Sequence, residues 1–384
     1  MKVELSIVMP CLNEAETLEI CIQKATYFLQ SNAIDGEIII ADNGSTDGSQ
    51  EIAQRLSASV INVPKKGYGS ALKAGFDAAK GTYIIMGDAD DSYDFSNLKL
   101  FVEALQNGND LVIGNRFKGG IEKGAMPFLH KYLGNPVLSF IGKLFFNIKI
   151  NDFHCGLRGI SKDAYQKIYL KTTGMEFASE MIVNAAMHNL KIAEVPTTLK
   201  KDGRTRKPHL KTWSDGWRHL RFLLLFSPKW LFLYPGLVMI IAGTLLSALL
   251  IVKPIKIGTT IFDIHTLLFT TSFAIVGFQF FMFYGLTKVF AITQNLLPKS
   301  KRYDTVFKYI QLEKGLIIGF IFTLTGLMLS LYGFSIWQNQ DFKTLDVQKT
   351  MRIIIPAVSL LVVGIQVILF SFFFSILDLK NEKN

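Results

Sequence analysis

Cysteine is scarce. The 384 residues hold three, Cys11, Cys21 and Cys155, and no pair has the spacing of zinc ligands. That argues against a disulfide framework or a zinc module and leaves three ordinary buried thiols of a reducing compartment. Histidine is limited to six residues with no HxxxH-like pairing, so imidazole metal chemistry has no motif to rest on. No hydrophobic run opens the chain, and the expectation is that there is no signal peptide and that a folded N-terminal domain starts in the cytosol. Charge is missing from four long stretches, 231–252, 264–287, 316–337 and 353–377, none of which contains Asp, Glu, Lys or Arg. Each is long enough for a helix to cross a bilayer, which takes about 20 apolar residues. Four spans return the C-terminus to the side where it began. Lys299, Lys301, Arg302, Lys308 and Lys314 in the middle connection, against sparser charge around Lys253 and Lys343, favour a cytosolic location for that connection and for both termini.

The first half is patterned differently. Apolar runs rich in β-branched residues alternate with helical patterns: LSIVMP, EIIIAD, VINVP, TYIIMGD and DLVIGNR are separated by amphipathic stretches such as ETLEICIQKATYFLQ and SNLKLFVEALQNG. That order predicts βα units forming a mainly parallel sheet with helices on both faces. Ligands of such sheets bind at the carboxyl ends of the strands, where this chain places PCLNE, ADNGSTDGS, KKGYGS and DADDSYD. Taken alone, each cluster also suits a turn or a helix cap. GYGSAL has the look of a dinucleotide fingerprint, but Leu72 stands where the third glycine belongs. Asp88, Asp90, Asp91 and Asp94 crowd one turn, and like charges at that density call for a cation among them, most simply a divalent one with oxygen ligands.

The net charge of +10 concentrates in LKKDGRTRKPHLKTWSDGWRHLRF, just before the first charge-free run. A polybasic stretch at that place is explained by anionic lipid headgroups, and nucleic acid is not expected as a partner. Residues 127–150, PFLHKYLGNPVLSFIGKLFFNIKI, are too polar to span and too apolar for a free surface. They predict one or two helices in the headgroup layer, broken near Pro136. A second amphipathic helix is predicted from His209, with Leu210, Trp213, Trp217, Leu220 and Leu224 on one face and Lys211, Arg218 and Arg221 able to snorkel. The predicted domains are 1–205, with interfacial helices at about 124–150, then an amphipathic linker at 206–230, and a transmembrane domain at 231–384.

Together SIVMPCLNEAETL, ADNGSTDGS, KGYGSALKAG and DADDSYD resemble the inverting family 2 glycosyltransferases, whose soluble domain has the GT-A fold. GNRF, DFHCGLRGISKDAY, GMEFASEMIVNAAMHNLKIAEVP and RKPHLKTWSDGWRHLRF are similar to the branch that includes dolichol-phosphate mannose synthase and bacterial polyprenyl-phosphate glycosyltransferases. The resemblance implies that Asp88 and Asp90 bind Mg2+ or Mn2+ bridging the diphosphate of a UDP- or GDP-sugar. It implies nucleoside loops at Pro10, Asn13, Glu14 and Asp42, with Lys66 and Gly67 beside the base. It gathers positive charge near the phosphates at Arg116 and Arg158, and it gives Arg204 the acceptor lipid phosphate. Ser92 departs from the glutamine common in dolichol-phosphate mannose synthases, leaving the third metal ligand open. Asp94 then holds the loop or touches the sugar.

A polyprenyl monophosphate is already an anionic nucleophile at neutral pH, so transfer to it needs placement and charge management rather than a base. A hydroxyl acceptor would need a base carboxylate, for which Asp152 or Glu180 could serve. A processive polysaccharide synthase is the competing enzyme reading, but DGWRHLRF lacks the glutamine of its QxxRW motif. An inactive membrane scaffold is the competing non-enzymatic one. Family resemblance further implies multi-pass residence in the cytoplasmic membrane, a flippase and a lipid-sugar-dependent transferase downstream, and room for a homo-oligomer.

Overall fold

The computed structural model describes residues 3–205, 212–294 and 312–378. Lys299, Lys301, Arg302 and Lys308, together with His209, Leu210 and Lys211 of the predicted amphipathic helix, lie outside the described residues. The chain forms two compact units, Met1–Phe226 and Ser227–Asn384.

In the first unit, strands β1 (Leu5–Cys11), β2 (Gly36–Asp42), β3 (Ser59–Asn62) and β4 (Tyr83–Met86) pair in parallel in the order β3-β2-β1-β4. Leu5, Ile7, Val8 and Met9 of β1 are all fully buried, as an unbroken apolar run requires when helices cover both faces of a central strand. The crossovers are α1 (Leu18–Ser31), α2 (Ser49–Arg55) and α3 (Tyr68–Ala78). After α4 (Lys99–Gln106) comes β5 (Leu111–Asn115), which does not join β4. Strand β6 (Arg158–Ser161) inserts between them, antiparallel to both, and β7 (Ile192–Pro196) closes the edge parallel to β5. The result is a mostly parallel seven-stranded sheet of GT-A type.

Helix α5 (Arg116–Gly119) caps β5, and α6 (Asn135–Phe146) follows a π-helical turn at His130–Gly134. The predicted break at Pro136 is absent. Pro136 lacks an N–H and its ring crowds the carbonyl four residues back, and the widened turn relieves both while the helix continues. The same device recurs in the second unit, where a π-helical turn at Lys229–Leu233 precedes Pro235. Helices α7 (Lys162–Lys167), α8 (Phe177–Met187) and α9 (Thr212–Leu225) complete the first unit, with α6, α8 and α9 packed on one another.

The second unit holds α10 (Tyr234–Val252), a small hairpin of β8 (Ile255–Ile257) and β9 (Thr260–Phe262), and then α11 (Ile264–Thr293), α12 (Leu312–Gln338) and α13 (Val347–Asp378). Four helices here are long and apolar enough to cross a membrane: Lys229–Val252, Ile264–Thr293, Leu312–Gln338 and Val347–Leu377. Glycines let their backbones close up. A Cβ on Gly243 would fall 2.7 Å from the Ala274 nitrogen, and one on Gly326 2.8 Å from the Ala357 carbonyl oxygen. Ser247 and Thr270 share a hydrogen bond of 2.8 Å between α10 and α11, and Arg352 pairs with Asp263 at 2.5 Å.

Candidate active site

The loops after β1, β2, β3 and β4 meet at one rim, as a parallel sheet dictates. Three of the four aspartates of the β4 loop face a cation, and Asp88 does not. Asp91, at φ 58°, pairs with Lys24 at 2.6 Å. Asp94 accepts from the Ser96 hydroxyl at 2.6 Å and amide at 3.1 Å and faces Lys200 at 3.6 Å, so it holds the loop. Asp90 Oδ1 accepts from the Ser92 hydroxyl at 2.6 Å and amide at 3.1 Å, while its Oδ2 meets Arg204 Nη2 at 2.7 Å. Ser92 therefore orients Asp90 through its own turn. Among the described residues Asp88 receives the Tyr68 hydroxyl alone, at 3.0 Å on Oδ1. Burial and the neighbouring charge of Asp90 push its carboxyl up to about 7.

Arg204 comes from a strap, residues 200–205, laid across this loop. Lys200 N donates to Ser92 O at 2.9 Å, and Gly203 N to Asp90 O at 3.0 Å. Its guanidinium reaches Glu14 at 3.1 Å and Asp202 at 3.1 Å besides Asp90. Burial works against that charge, yet Asp90 and Glu14 outweigh it and hold its pKa above the usual arginine value. The sequence placed Arg204 at an acceptor phosphate; here it faces the carboxylates of the same rim.

The nucleoside-loop candidates gather where they were expected. Asn13, at φ 59°, accepts from Thr46 N at 2.8 Å and donates its amide to the Ser45 hydroxyl at 2.8 Å. Asp42 takes the amides of Gly44 at 3.0 Å and Ser45 at 3.1 Å and the Gln50 side chain at 2.6 Å. Pro10 ends β1 opposite Ala41. Lys66 donates to Asn43 O at 2.6 Å, and Gly67 N to Asn43 Oδ1 at 2.7 Å. Asn43, absent from the sequence-based list, is the hub of these loops: its amide also bonds Val63 O and Lys65 O. In the sequence it reads as a turn residue; buried between two loops, an Asn has to find partners on both. Gly67 and Gly69 are glycines for close approach. A Cβ there would fall 2.2 Å from Thr173 O and 2.6 Å from Thr172 O.

Arg116 and Arg158 stand apart from this rim chemistry. Arg116 is buried in a bidentate pair with Asp152, Nε to Oδ2 at 2.7 Å and Nη2 to Oδ1 at 2.8 Å, and its own amide adds a third bond to the same carboxylate. Arg158 is fully buried and donates to the carbonyls of Cys155 at 2.7 Å, Phe153 at 3.0 Å and Ala178. Glu180 accepts the amides of Lys171 and Thr172 and the Thr172 hydroxyl. Both side chains drafted as bases for a hydroxyl acceptor, Asp152 and Glu180, thus have their oxygens filled by protein donors.

Among the described residues no three acidic, histidine or cysteine side chains converge to hold a metal by themselves. Asp88 and Asp90 offer two hard oxygen donors at a place where burial and the neighbouring carboxylate already raise one carboxyl. That set fits a divalent cation whose remaining ligands come from a phosphorylated substrate.

Helices α6 and α9 carry the apolar surface predicted for them. Phe128, Tyr132 and Phe140 are 73%, 62% and 61% exposed, and Trp213 and Trp217 are 79% and 58% exposed. Phe140 on α6, Phe128 and Tyr132 in the helical segment leading into it, and the two tryptophans on α9, which packs on α6, are exposed apolar surface of the kind that suits a lipid headgroup layer. His219 of α9 turns inward instead, onto the Ser179 hydroxyl at 2.8 Å and the His154 ring at a centroid distance of 4.6 Å. Burial pushes its imidazole down to about 4.

Sheet, rim and spans together define a membrane-associated GT-A enzyme. The chain matches the model Glycosyl transferase family 2 over residues 6–169 and the model Glycosyltransferase family 2 C-terminal transmembrane region over residues 285–378. It belongs to glycosyltransferase family 2. It is 36% identical over 371 residues to the low-salt glycan biosynthesis hexosyltransferase Agl6 of Haloferax volcanii, covering 96% of this chain and 87% of that one. A dolichyl-phosphate hexose transferase from the same organism is 28% identical over 194 residues, 50% of this chain and 81% of its own length. Among solved structures, the glucosyl-3-phosphoglycerate synthase of Mycobacterium tuberculosis, in complex with Mn2+, UDP and glucosyl-3-phosphoglycerate, has a TM-score of 0.45 at 21% identity. That similarity covers 58% of this chain and 77% of the synthase.

Proposed function

We propose that this glycosyltransferase moves a single hexose from a UDP- or GDP-sugar to a polyprenyl phosphate at the cytosolic face of the membrane, with inversion at the anomeric carbon. The observation that carries this reading is the acidic rim of Asp88 and Asp90, crossed by an arginine strap that lies next in sequence to an amphipathic helix with exposed tryptophans. A lipid-borne anion is the acceptor that such a neighbourhood suits. The saturated oxygens of Asp152 and Glu180 agree with it, because a phosphate nucleophile needs no base. The hexosyltransferase and the dolichyl-phosphate hexose transferase among the relatives point to the same substrate classes.

Asp88 and Asp90 would hold Mg2+ or Mn2+, which would supply positive charge for the departing nucleoside diphosphate. Tyr68 and Ser92 keep the two carboxylates in place. Asn13, Asp42, Asn43 and Lys66 shape the nucleoside loops. Arg204, freed from Asp90 as substrate charge enters, holds the attacking phosphate behind the sugar. The deciding test is transfer of labelled sugar into an organic extract, using purified protein, undecaprenyl phosphate, a panel of UDP- and GDP-sugars and Mn2+ or Mg2+. Label extracted with one donor and lost on chelation is the expected result. Label that stays aqueous in a polymer would instead establish a processive synthase.

A further inference from the structure

Glu176 is a carboxylate that none of these roles uses. It immediately precedes α8, yet its side chain does not cap that helix: the amide of Phe177 bonds Gly174 O at 3.2 Å, and that of Ala178 bonds Met175 O at 3.4 Å. Among the described residues its Oε2 is buried with no hydrogen-bond partner, although the residue as a whole is half-buried. A buried carboxylate oxygen with no donor is costly, and proteins keep such groups where a ligand supplies what is missing. The surroundings say which ligand. The loop before Glu176 is clamped from one side by Glu180 and from the other by α3, where Gly69 N donates to Thr173 O at 2.9 Å. Phe177 lies against Gly69, 2.9 Å from where its Cβ would be, and the residue before Gly69 is Tyr68, whose hydroxyl holds Asp88. The unsatisfied acceptor thus stands against Gly174 at the start of α8, the helix that packs on α3, whose first residue is Tyr68. An ionised carboxylate accepts only, so its partner is a donor. Phosphates offer no proton to give, whereas a hexose offers several hydroxyls.

We propose that Glu176 is a specificity-determining residue that accepts a hydrogen bond from a hydroxyl of the donor hexose. This deepens the glycosyl-donor reading and rests on it. The test uses the full chain in nanodiscs with Mn2+, titrated with UDP, GDP, UDP-glucose, UDP-galactose, UDP-N-acetylglucosamine and GDP-mannose. Wild type is compared with Glu176→Gln, which keeps the side chain's size, and with Glu176→Ala. In both variants the free nucleotide should bind within about twofold of wild type, while the preferred nucleotide sugar weakens about tenfold or more. One monodeoxy analogue of that sugar should bind wild type about tenfold more weakly than the parent, and Glu176→Gln as well as the parent. Equal weakening of nucleotide and nucleotide sugar would overturn the proposal in favour of a structural role. Unchanged sugar binding with a reduced kcat would overturn it in favour of a base. No binding of any nucleotide by wild type would remove the donor reading and this inference with it.

Discussion

The first unit contains two arginine–carboxylate clusters of opposite design. At Arg116 and Asp152 one cation meets one anion in a fork with every carboxylate oxygen filled, and both side chains are buried. At the rim, Arg204 faces Asp90, Glu14 and Asp202, with Asp88 next to them. The first is balanced and closed. In the second, among the described residues, one guanidinium is shared by three carboxylates, an arrangement that suits the arrival of a cation or a cationic substrate complex. Stoichiometry of charge, more than the presence of arginine, separates scaffold from site.

The largest effect that would break this contrast is at Asp90. Asp90→Ala should lower sugar transfer by at least about a thousandfold while leaving the circular dichroism spectrum and membrane integration intact; activity within tenfold of wild type would remove Asp90 from the metal role. Asp152→Asn should do the reverse. Leaving Arg116 buried without its charge partner costs about 3–5 kcal/mol, read as a lower unfolding midpoint of the catalytic unit, with residual activity tracking the folded fraction. A stable but inactive Asp152→Asn would place this pair in the chemistry after all. Arg204→Gln should raise the KM for polyprenyl phosphate by roughly ten- to a hundredfold and change nucleotide affinity less. A defect confined to the nucleotide would reassign it.

The smallest effect concerns protons. The Asp88 carboxyl, raised to about 7, binds a proton more tightly in the folded chain than in the unfolded one. Folding stability from this group is therefore present at low pH and is lost as pH rises toward and through 7. A metal needs the carboxylate, so Mn2+ binding should release a large fraction of a proton at about pH 6.5 and almost none at about pH 8.5. Calorimetry in buffers of different ionisation enthalpy reads this directly. Equal release at both values would show that Asp88 is not the proton donor.

Much of the architecture was legible before any coordinates. Long apolar strands, amphipathic crossovers and four charge-free runs are one-dimensional signals, and the loops at their ends declared the rim. What escaped was decided by pairing in space. Strand β6, only RGIS, lies between β4 and β5, and so short and half-polar a stretch has no local pattern that announces an antiparallel insertion. The family resemblance set Arg116 and Arg158 near the phosphates; the partners that occupy them here, Asp152 and the carbonyls of Phe153, Cys155 and Ala178, are not visible in the sequence. Asn43 and Glu176 were hidden for the converse reason, since each reads as a turn or helix-end residue until its neighbours are known. Pro136 suggested a break that a widened turn avoids.

The glycine seam of the second unit has an evolutionary consequence. Gly319, Gly326 and Gly333 recur every second turn along α12, each closed against α13. At 1.5 Å per residue they line about 21 Å of a hydrocarbon layer roughly 30 Å thick. Around this seam the usual tolerance is inverted. The large exposed residues such as Phe320, Leu327 and Tyr332 are free to drift among apolar neighbours of any size, while at Gly319 and Gly326, where a Cβ would fall 2.8 Å from a carbonyl oxygen of α13, even alanine would push the helices apart.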